Sequence, residues 1–276
     1  MITEVAPAKI NLALHVRRRR RDGYHDIETL FAFATDGDVV TVAPSEAPSF
    51  AITGAFAAGL SSAPGDSNLV TRAAAAFAAH YGIGGHHAIT LDKNLPIASG
   101  IGGGSADAAA TLRALARLHG VGVTDPALHG LAAALGADVP ACLLGRTTLG
   151  TGRGDELIVL DGLAGMPLLL VNPRVGVSTA AVFGAWDGVD RGAMAAGDLL
   201  TRALAGRNDL EPPATAIAPV IAAVRAVLDA QPGVRMARMS GSGATCFALF
   251  DDVAARDAAA IATVARGWWT LASAIA

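Results

Sequence analysis

The amino-acid sequence predicts an α+β fold, and three observations lead to this prediction. Apolar residues recur at every second position from Ile10 to Val16, which is the period of a β-strand. A glycine cluster, Gly100–Gly104, leads directly into a strong helical pattern from Ala106 to Leu118. The second half of the chain has the order strand, helices, strand, strand, helix, strand, which is typical of an α+β domain with mainly antiparallel pairing.

The N-terminal segment predicts strands. The alternation from Ile10 to Val16 indicates a strand with one buried face. The arginine run Arg17–Arg21 leads to Asp22-Gly23, a pair typical of a hairpin turn. We expect this run to be a solvated hairpin, although it could also lie near an anionic substrate. Further strands are expected over residues 2–5, 27–33 and 38–42.

Helices and further strands follow along the chain. Asp66-Ser67-Asn68 offers N-cap side chains to an alanine-rich helix over residues 69–81. A strand is expected over 87–93, helices over 106–118 and 126–135, and a strand over the apolar run 139–144. In the second half, strands are expected over 168–171, 234–239, 245–250 and 269–274, and helices over 179–186, 193–204, 214–228 and 254–265.

Length and composition favour a globular protein with one large domain or two modest ones. The chain has 276 residues, of which 52% are hydrophobic and 16% charged, and this composition excludes a disordered chain. The net charge of −3 argues against a generic nucleic-acid binder, because such proteins usually carry a basic excess. We place a boundary near residue 155, between an N-terminal domain, 1–155, and a C-terminal domain, 156–276.

The sequence indicates neither a membrane protein nor a secreted one. Its apolar runs are shorter than the roughly 18–20 residues of a membrane span. Residues 1–5 lack the basic and apolar profile of a secretory signal. Cys142 and Cys246 each lie in an apolar stretch, so we expect buried thiols in a reducing compartment and not a disulfide or metal site. A cytoplasmic protein is therefore expected.

Lysine is rare in this chain. Lysine and arginine together number 21, yet Lys9 and Lys93 are the only lysines in the sequence. Arginine therefore replaces lysine almost everywhere that a cation is needed. A lysine that is kept could be one whose compact ammonium group arginine cannot replace.

The glycine cluster predicts a phosphate site. Glycines drawn into a helix cost roughly 1 kcal/mol each relative to alanine, so the run Gly102–Gly104 needs a reason. A bound phosphate supplies one, because glycines let the backbone approach closely and a helix N-terminus offers unpaired N–H donors. Ser105 could cap the helix, contact a phosphate or hold Mg²⁺. The alternative is a flexible loop that packs tightly against a sheet.

Several common nucleotide-binding loops are excluded. No Gly-Lys-Ser/Thr follows the cluster, as a Walker loop would require. Ser105 occupies the position of the last glycine of a Rossmann fingerprint. The His-Arg-Asp and Asp-Phe-Gly signatures of protein kinases are missing from the sequence as well.

Three segments, in this order, resemble the three motifs of the GHMP kinases, the superfamily of galactokinase, homoserine kinase, mevalonate kinase and phosphomevalonate kinase. The first motif is Pro7–Leu12, the second Pro96–Asp107 and the third Met239–Cys246. In that superfamily the second motif wraps the ATP phosphates. The residues that the resemblance assigns to ATP, called the glycine loop below, are Pro96, Ile97, Ala98, Ser99, Gly100, Ile101, Gly102, Gly103, Gly104, Ser105 and Ala106.

The resemblance implies a two-domain GHMP kinase fold. Its N-terminal domain would be ribosomal-protein-like, bind ATP and carry the catalytic residues. Its C-terminal domain would be ferredoxin-like and complete the substrate site.

Three further segments are similar to one branch of this superfamily. They are Arg21–His25, Leu135–Pro140 and Asn208–Glu211. This branch phosphorylates the 2-hydroxyl of 4-diphosphocytidyl-2-C-methyl-D-erythritol in non-mevalonate isoprenoid biosynthesis. The resemblance therefore implies ATP and Mg²⁺ as cofactors and a small cytidine-bearing alcohol as substrate. It leaves the metal ligands, the oligomeric state and any domain closure open.

The resemblance assigns catalysis to Lys9 and Asp138. Paired with Lys9, Asp138 would stay ionised and accept the proton of the attacking hydroxyl, while Lys9 would offset charge on the transferring phosphoryl group. Without the motifs, Asp138 could be a turn aspartate at a helix-to-strand junction and Lys9 a surface lysine at a strand edge. Lys93 is either a nucleotide contact or a solvent lysine at a strand end, and we favour the second.

Aromatic residues are candidates for a cytidine pocket. Tyr24 and His25 follow a turn and carry flat rings that can stack on a pyrimidine and hydrogen-bond to it. In the resembled branch, the histidine at this position contacts the cytosine. Phe31 and Phe183 could close the pocket, or each could be a core aromatic.

Polar and glycine residues are candidates for the rest of the substrate site. Asn11 could reach the substrate diphosphate, or it could be a solvent-facing strand asparagine. Gly241 and Ser242 lie in a turn between two strands whose backbone donors could line the substrate side, or the turn could be purely structural.

Two other functions compete with this interpretation. The first is another GHMP kinase, for which a base-stacking Tyr24-His25 pair would be unnecessary. The second is a non-catalytic nucleotide- or RNA-binding module, which the arginine run could suit. The acidic net charge, the complete glycine loop and the presence of both Lys9 and Asp138 argue against the second. We expect no nucleic-acid or membrane partner.

Overall fold

The computed structural model describes residues 1–60 and 68–276. Packing divides the chain into two units, each of which draws on several segments. Unit 1 comprises Met1–Ala8, Asp36–Ile97 and Gly102–Gly145, and unit 2 comprises Lys9–Thr35, Ala98–Ile101 and Arg146–Ala276. This is a division by packing, and the domain boundary expected near residue 155 stays a proposal.

Two long strands contribute residues to both units. β1, Ile2–Arg19, pairs with β2, His25–Ser45, and the turn between them contains Gly23 with φ +86°. The four separate strands expected here are therefore two continuous ones. Gly37 interrupts the strand pattern of the sequence, yet it belongs to β2. A Cβ at this position would lie 1.9 Å from the backbone oxygen of Ala6, so only glycine permits the close approach of the two strands.

β1 is buried on both faces, so the expectation of a half-buried strand was wrong. Every residue from Lys9 to Val16 is buried. The face that alternates with the apolar residues is covered as well. Ala13 lies against Gly206, and His15 Nδ1 is 3.3 Å from the Gly192 carbonyl oxygen. Alternation in the sequence shows two unlike faces, but it does not show whether the polar face meets water.

In the residues that the structure describes, unit 1 combines a small sheet with four α-helices. The order of its strands is β3-β4-β2, with β4 antiparallel to β2 and β3 parallel to β4. Asn68 caps α1 by accepting from Val70 N, as expected, whereas Asp66 and Ser67 lie outside the described residues. The elements are β3 Ser49–Thr53, a 3₁₀ turn Ala57–Gly59, α1 Leu69–Tyr81, β4 His86–Asp92, α2 Gly103–Leu118, α3 Pro126–Leu135 and α4 Val139–Leu144.

The apolar run 139–144 forms helix α4, so the strand expected there was wrong. A short apolar run has no periodicity that separates a buried strand from a buried helix. Two local signals favour the helix: Pro140 lies in its first turn, and Gly145 ends it with φ +59°. The helix packs against α2 and α3, and residues 139–143 are all buried, which explains the uniform apolarity.

Unit 2 contains a four-stranded antiparallel sheet covered by helices. The strand order is β10-β7-β9-β8, α8 packs against β8 and β9, and α9 packs against β7, β9 and β10. Separately, β2 pairs with β5 and β5 with β6, two short strands that the sequence did not indicate. The elements are β5 Thr148–Thr151, β6 Glu156–Val159, β7 Pro167–Asn172, α5 Thr179–Gly184, α6 Leu199–Ala205, α7 Glu211–Ile217, α8 Val220–Asp229, β8 Val234–Met239, β9 Cys246–Phe250, α9 Val253–Val264 and β10 Trp269–Ala274.

Two helices of unit 2 differ from expectation at their boundaries. The helix expected over 214–228 is two helices, because Pro219 cannot continue α7 and instead begins α8. The helix expected over 193–204 begins only at Leu199, where Asp198 caps it by accepting from Thr201 N. The α+β class itself is confirmed.

Two expectations from composition can be checked against the described residues. Cys142 and Cys246 are both buried and form no disulfide, as expected. In residues 1–60 and 68–276, no helix combines the length and the apolar character needed to traverse a bilayer.

Arg238 is a partly buried cation of unit 2 that binds three backbone carbonyl groups. Its guanidinium donates to the carbonyl oxygens of Leu12, Ala203 and Gly206. Burial lowers the pKa of Arg238 to about 10. This side chain connects β8 to β1 and to the end of α6, because guanidinium has several donors in a fixed plane.

We expect Arg238→Met to lower the free energy of unfolding by about 3 kcal/mol, since three buried carbonyl groups lose their donor. Arg235→Met is the matched control. It lies on the same strand, and Arg235 is 43% exposed where it pairs with Asp251. Its effect should be within about 0.5 kcal/mol. Urea denaturation of both variants measures this, and equal destabilisation would contradict the role of Arg238.

Candidate active site

Three consecutive carbonyl groups of the glycine loop are held by the first and third motifs within unit 2. The bonds, from donor to acceptor, are Lys9 N to Ile101 O at 3.0 Å, Ser240 Oγ to Gly100 O at 2.9 Å and Thr245 N to Ser99 O at 3.1 Å. In a trans peptide the N–H points opposite to the carbonyl group of the same plane. The N–H groups of residues 100–102 therefore point away from these partners, as an anion site requires.

Two glycines allow this contact between the glycine loop and the third motif. Gly100 has φ +76°, and a Cβ there would lie 2.5 Å from the carbonyl oxygen of Ser240. Gly241 has φ +54°, and its Cβ would lie 2.8 Å from the carbonyl oxygen of Gly100. Any side chain at either position would separate the two segments.

Lys9 and Asn11 belong to one buried polar network in unit 2. Lys9 Nζ donates to Asn11 Oδ1 at 3.1 Å, and Asn11 Nδ2 donates to Thr29 Oγ1 at 2.7 Å. The backbone N–H of Asn11 donates to Ser240 Oγ at 3.2 Å. Lys9 and Asn11 are only 3% and 2% exposed, so neither is the surface residue that the alternatives considered. The Lys9 ammonium also lies 5.0 Å from the centre of the Phe31 ring.

His25 lies in an aromatic cluster of unit 2. Its ring centre is 4.9 Å from that of Phe183 and 5.7 Å from that of Trp186. Burial, and then the positive charge of Arg19, lower the pKa of His25. The imidazole is therefore neutral at neutral pH. Its buried Nε2 has no hydrogen-bond partner among the described residues, so it can bond to a ligand.

Trp186 is an aromatic residue of this cluster that the sequence did not single out. Arg19 donates to the carbonyl oxygens of Gly184 and Trp186, at 3.1 and 2.5 Å, and holds this segment beside β1. Trp186 also borders an open cavity of about 300 Å³. An isolated tryptophan near a helix end carries no sequence signal that distinguishes it from a core residue.

Tyr24 and Phe31 form other contacts in unit 2. Tyr24 is 52% exposed, and the Arg153 guanidinium lies over its ring at 5.1 Å. Phe31 is buried beside Lys9. The structure thus places the rings of His25 and Phe183 in contact, while the roles of Tyr24 and Phe31 in a cytidine pocket remain proposals. Within the arginine run, Arg18 and Arg20 form ion pairs with Asp26 of the same hairpin.

Asn208 stabilises the turn that carries Gly241 and Ser242. Asn208 Nδ2 donates to the carbonyl oxygens of Met239 and Gly241, at 2.8 Å each. Ser242 Oγ is 2.9 Å from Thr179 Oγ1. The segment resembling Asn208–Glu211 of the family branch therefore supports the third motif and does not merely connect helices.

The remaining part of the glycine loop begins helix α2 in unit 1. The helix starts at Gly103, three residues before the predicted Ala106, so Gly103 to Ser105 form its first turn. The N-cap residue is Gly102, with φ +64°, and it offers no side-chain acceptor. Helices α1 and α3 do have capping side chains, Asn68 and Asp125. The first turn of α2 therefore keeps the N–H donors and the positive dipole end that favour an anion.

Lys93 is buried, so the expectation of a solvent lysine was wrong. It is 2% exposed and forms ion pairs with Asp38 and Asp107 in unit 1. Sequence analysis missed Asp38, which is 55 positions from Lys93. No motif or spacing connects residues this far apart.

Asp138 lies at the N-cap of α4 in unit 1, at a helix-to-helix junction and not the helix-to-strand junction expected. It is partly buried, and its side chain makes no capping bond to its own helix. Asp125, at the equivalent place on α3, does cap, accepting from Ala127 N at 2.8 Å. Asp138 thus occupies the N-cap position of α4, but its side chain does not cap the helix. Its pairing with Lys9 stays a prediction.

Metal ligands were left open by the sequence. Among the described residues, no group of three or more His, Cys, Asp and Glu side chains is arranged to hold a metal ion.

We expect Gly100→Ala to destabilise the fold by about 3 kcal/mol, because the new Cβ meets Ser240 and the backbone is left-handed. Gly104→Ala is the matched control in the same loop. A Cβ there would lie 3.6 Å from Leu69 Cδ1, an ordinary contact, and alanine favours helices. Thermal unfolding measures both. A lower midpoint for Gly104→Ala than for Gly100→Ala would contradict this account of the loop.

Comparison with known proteins identifies the family. Residues 68–146 match the GHMP kinases N terminal domain, and residues 191–265 match the GHMP kinases C terminal domain. A 4-diphosphocytidyl-2-C-methyl-D-erythritol kinase of Rhizorhabdus wittichii is 59% identical over 275 residues, covering 98% of this chain and 94% of that protein. One of the same name from Novosphingobium aromaticivorans is 50% identical and covers 99% and 93%.

Solved structures agree with these matches. A crystal structure of 4-(cytidine 5'-diphospho)-2C-methyl-D-erythritol kinase superposes with a TM-score of 0.82 at 35% identity, covering 99% of each chain. A homoserine kinase from Cytophaga hutchinsonii gives a TM-score of 0.76 at 22% identity, covering 99% and 94%, which shows a shared fold only.

Proposed function

Because the chain belongs to the GHMP kinases, in the group of 4-diphosphocytidyl-2-C-methyl-D-erythritol kinases, we propose that it transfers the γ-phosphoryl group of ATP to the 2-hydroxyl of 4-diphosphocytidyl-2-C-methyl-D-erythritol. This reaction belongs to the non-mevalonate route to isoprenoid precursors. The observation that carries the kinase assignment is the orientation of the glycine loop. Three consecutive carbonyl groups of the loop are bound by the first and third motifs, so the N–H group of each of these peptides points away from its carbonyl's partner.

ATP is the phosphoryl donor of GHMP kinases, and its phosphates bind at the glycine loop, Pro96–Ala106. The first turn of α2 and the loop amides supply donors and positive dipole there. Mg²⁺ accompanies the nucleotide, since Mg²⁺ sites for phosphate transfer rely largely on the phosphates and water. When bound, it neutralises charge on the phosphates.

Lys9 and Asp138 carry the catalytic roles. Asp138 accepts the proton of the substrate hydroxyl, and its carboxylate is not committed to capping α4. Lys9 offsets negative charge on the transferring phosphoryl group, and Asn11 fixes the position of its ammonium. Phosphoryl transfer depends mainly on positioning and charge stabilisation, so these groups suffice.

The substrate binds along unit 2 residues. His25 accepts or donates one hydrogen bond to the cytosine through Nε2, and Phe183 packs beside the base. Tyr24 and Phe31 complete the base side, and Asn11 faces the diphosphate. Gly241 and Ser242 offer backbone donors of the third-motif turn. We place the protein in the cytoplasm, where the thiols of Cys142 and Cys246 would stay reduced.

ATP consumption by the purified protein with Mg²⁺ tests the function. The substrates to compare are 4-diphosphocytidyl-2-C-methyl-D-erythritol, mevalonate, homoserine and galactose. Turnover with the cytidine compound alone supports the proposal. Turnover with another alcohol would replace the substrate and keep the kinase. Folded protein inactive with all four would favour a nucleotide- or RNA-binding module.

We expect Asp138→Ala to abolish turnover while ATP binding survives, because the residues that bind the phosphates are those of the glycine loop. Asp125→Ala is the matched control at the neighbouring cap. It should keep kcat and lose about 1 kcal/mol of stability, since it removes a used cap. Rate assays and nucleotide titrations separate the two. ATP binding lost in step with turnover would refute the role of Asp138.

We expect His25→Ala to raise KM for the cytidine substrate at least about 10-fold, equivalent to ~1.4 kcal/mol, with KM for ATP unchanged. His86→Ala, at an exposed histidine of β4, is the control and should leave both constants alone. Steady-state kinetics measures both variants. An unchanged KM would remove His25 from the pocket.

A further inference from the structure

Asp38, Lys93 and Asp107 form a buried charged cluster in unit 1. The Lys93 ammonium donates to Asp38 Oδ2 at 2.5 Å and to Asp107 Oδ2 at 2.6 Å. The three side chains are at most 4% exposed. A buried ion pair requires that its charges be balanced and its polar atoms be bonded. This cluster has two carboxyl groups and only one ammonium group.

The cluster holds the chain on both sides of the glycine loop. Before the loop, Asp38 Oδ1 accepts the N–H groups of Asn94 at 2.5 Å and Leu95 at 2.8 Å. After the loop, Asp107 pairs with Lys93, and within the loop the ammonium of Lys93 lies against Gly103, the first residue of α2, since a Cβ there would be 3.0 Å from Nζ. Glycine at position 103 therefore makes room for a cation directly beneath the first turn of the helix.

One proton decides the net charge of the cluster. With both carboxyl groups ionised the cluster carries −1, and with one proton it is neutral. Burial and the Asp38 carboxylate raise the pKa of Asp107 to about 7, although Lys93 opposes them. The two carboxyl groups lie within hydrogen-bonding reach, so a protonated Asp107 can donate to Asp38. Asp107 Oδ1 has no hydrogen-bond partner among the described residues.

Helices α1, α3 and α4 pack against α2. Their ionisable side chains are Arg72, His80 and Tyr81 on α1, His129 on α3 and Cys142 on α4, and α2 itself carries Arg113 and Arg117. Besides burial, the largest contributions to the pKa of Asp107 come from Lys93 and Asp38.

We propose that Asp38, Lys93 and Asp107 are positioning residues of the phosphate site, and that the nucleotide phosphates bind together with one proton that the Asp38–Asp107 carboxyl pair takes from solvent. This inference rests on the proposed nucleotide site at the start of α2. Phosphates at that turn bring negative charge next to the cluster, so they favour its neutral form over its −1 form. By linkage, a rise in pH weakens nucleotide binding.

Titration calorimetry of the wild-type protein with ATP and Mg²⁺, without an alcohol substrate, tests this at pH 8. Two buffers of different ionisation enthalpy give the number of protons taken up. The second pKa of a phosphate is about 6, so the nucleotide is already ionised at pH 8. We expect uptake of about one proton per nucleotide and an affinity about fivefold weaker at pH 8 than at pH 7. This result needs no variant.

The variant Asp107→Asn tests whether Asp107 is the group that takes up the proton. Asparagine has the size of the neutral acid, can accept from Lys93 and can donate to Asp38. We expect this variant to bind ATP without proton uptake and with equal affinity at pH 7 and pH 8. Asp229→Asn makes the same change at a carboxylate of α8 that is 53% exposed, and it should behave like the wild type. Thermal unfolding confirms that both variants are folded.

The outcomes separate this inference from the proposed function. Failure of the wild type to bind ATP would overturn the function and the site together. ATP binding without proton uptake would overturn the inference alone. Equal proton uptake by Asp107→Asn and wild type would also overturn it, as would loss of uptake in Asp229→Asn.

Discussion

Three hydrogen bonds to consecutive carbonyl groups of the glycine loop are the constraint on which the rest of the candidate site depends. They bind the oxygens of residues 99–101, and the peptide geometry then directs the N–H group of each peptide away from the partner of its carbonyl group. The loop continues into α2 through a glycine that has no capping side chain. Rotation of any of these peptides would replace a donor with an oxygen, and a phosphate would meet negative partial charge.

Buried polar side chains around the site bind backbone more than they bind each other. Asn208 holds the third-motif turn, and Arg238 holds three carbonyl groups of separate segments. Asp209 Oδ2 accepts from Val16 N at 2.8 Å, which ties the end of β1 to the segment after α6. Such bonds fix backbone positions, because each buried carbonyl or N–H group is costly to leave without a partner. The motifs therefore keep their relative positions within unit 2.

The sequence predicted the elements whose signals are local. Helices α1 and α3 have the predicted bounds, because their amphipathic patterns and caps are encoded in neighbouring residues. The run 139–144 has no periodicity that separates a strand from a helix, and Pro219 divides the single helix expected over 214–228 into two. For the site, motif resemblance found Lys9, which the structure buries. It could not find the partners of Lys93, because its burial and its bond to Asp38 arise only when distant segments pack. An ion pair between residues that are far apart in the chain has no signature in a single sequence.

Both lysines of the chain are buried, so the permanently positive side chains on its surface are arginines. Guanidinium is never neutral at ordinary pH, whereas a primary amine reacts readily when it loses its proton. The surface of the described residues therefore presents no lysine amine, so reagents that acylate or reductively methylate lysine should leave the side chains of the folded protein unmodified. Reaction at Lys9 or Lys93 would report that the first-motif network or the cluster beneath α2 had opened.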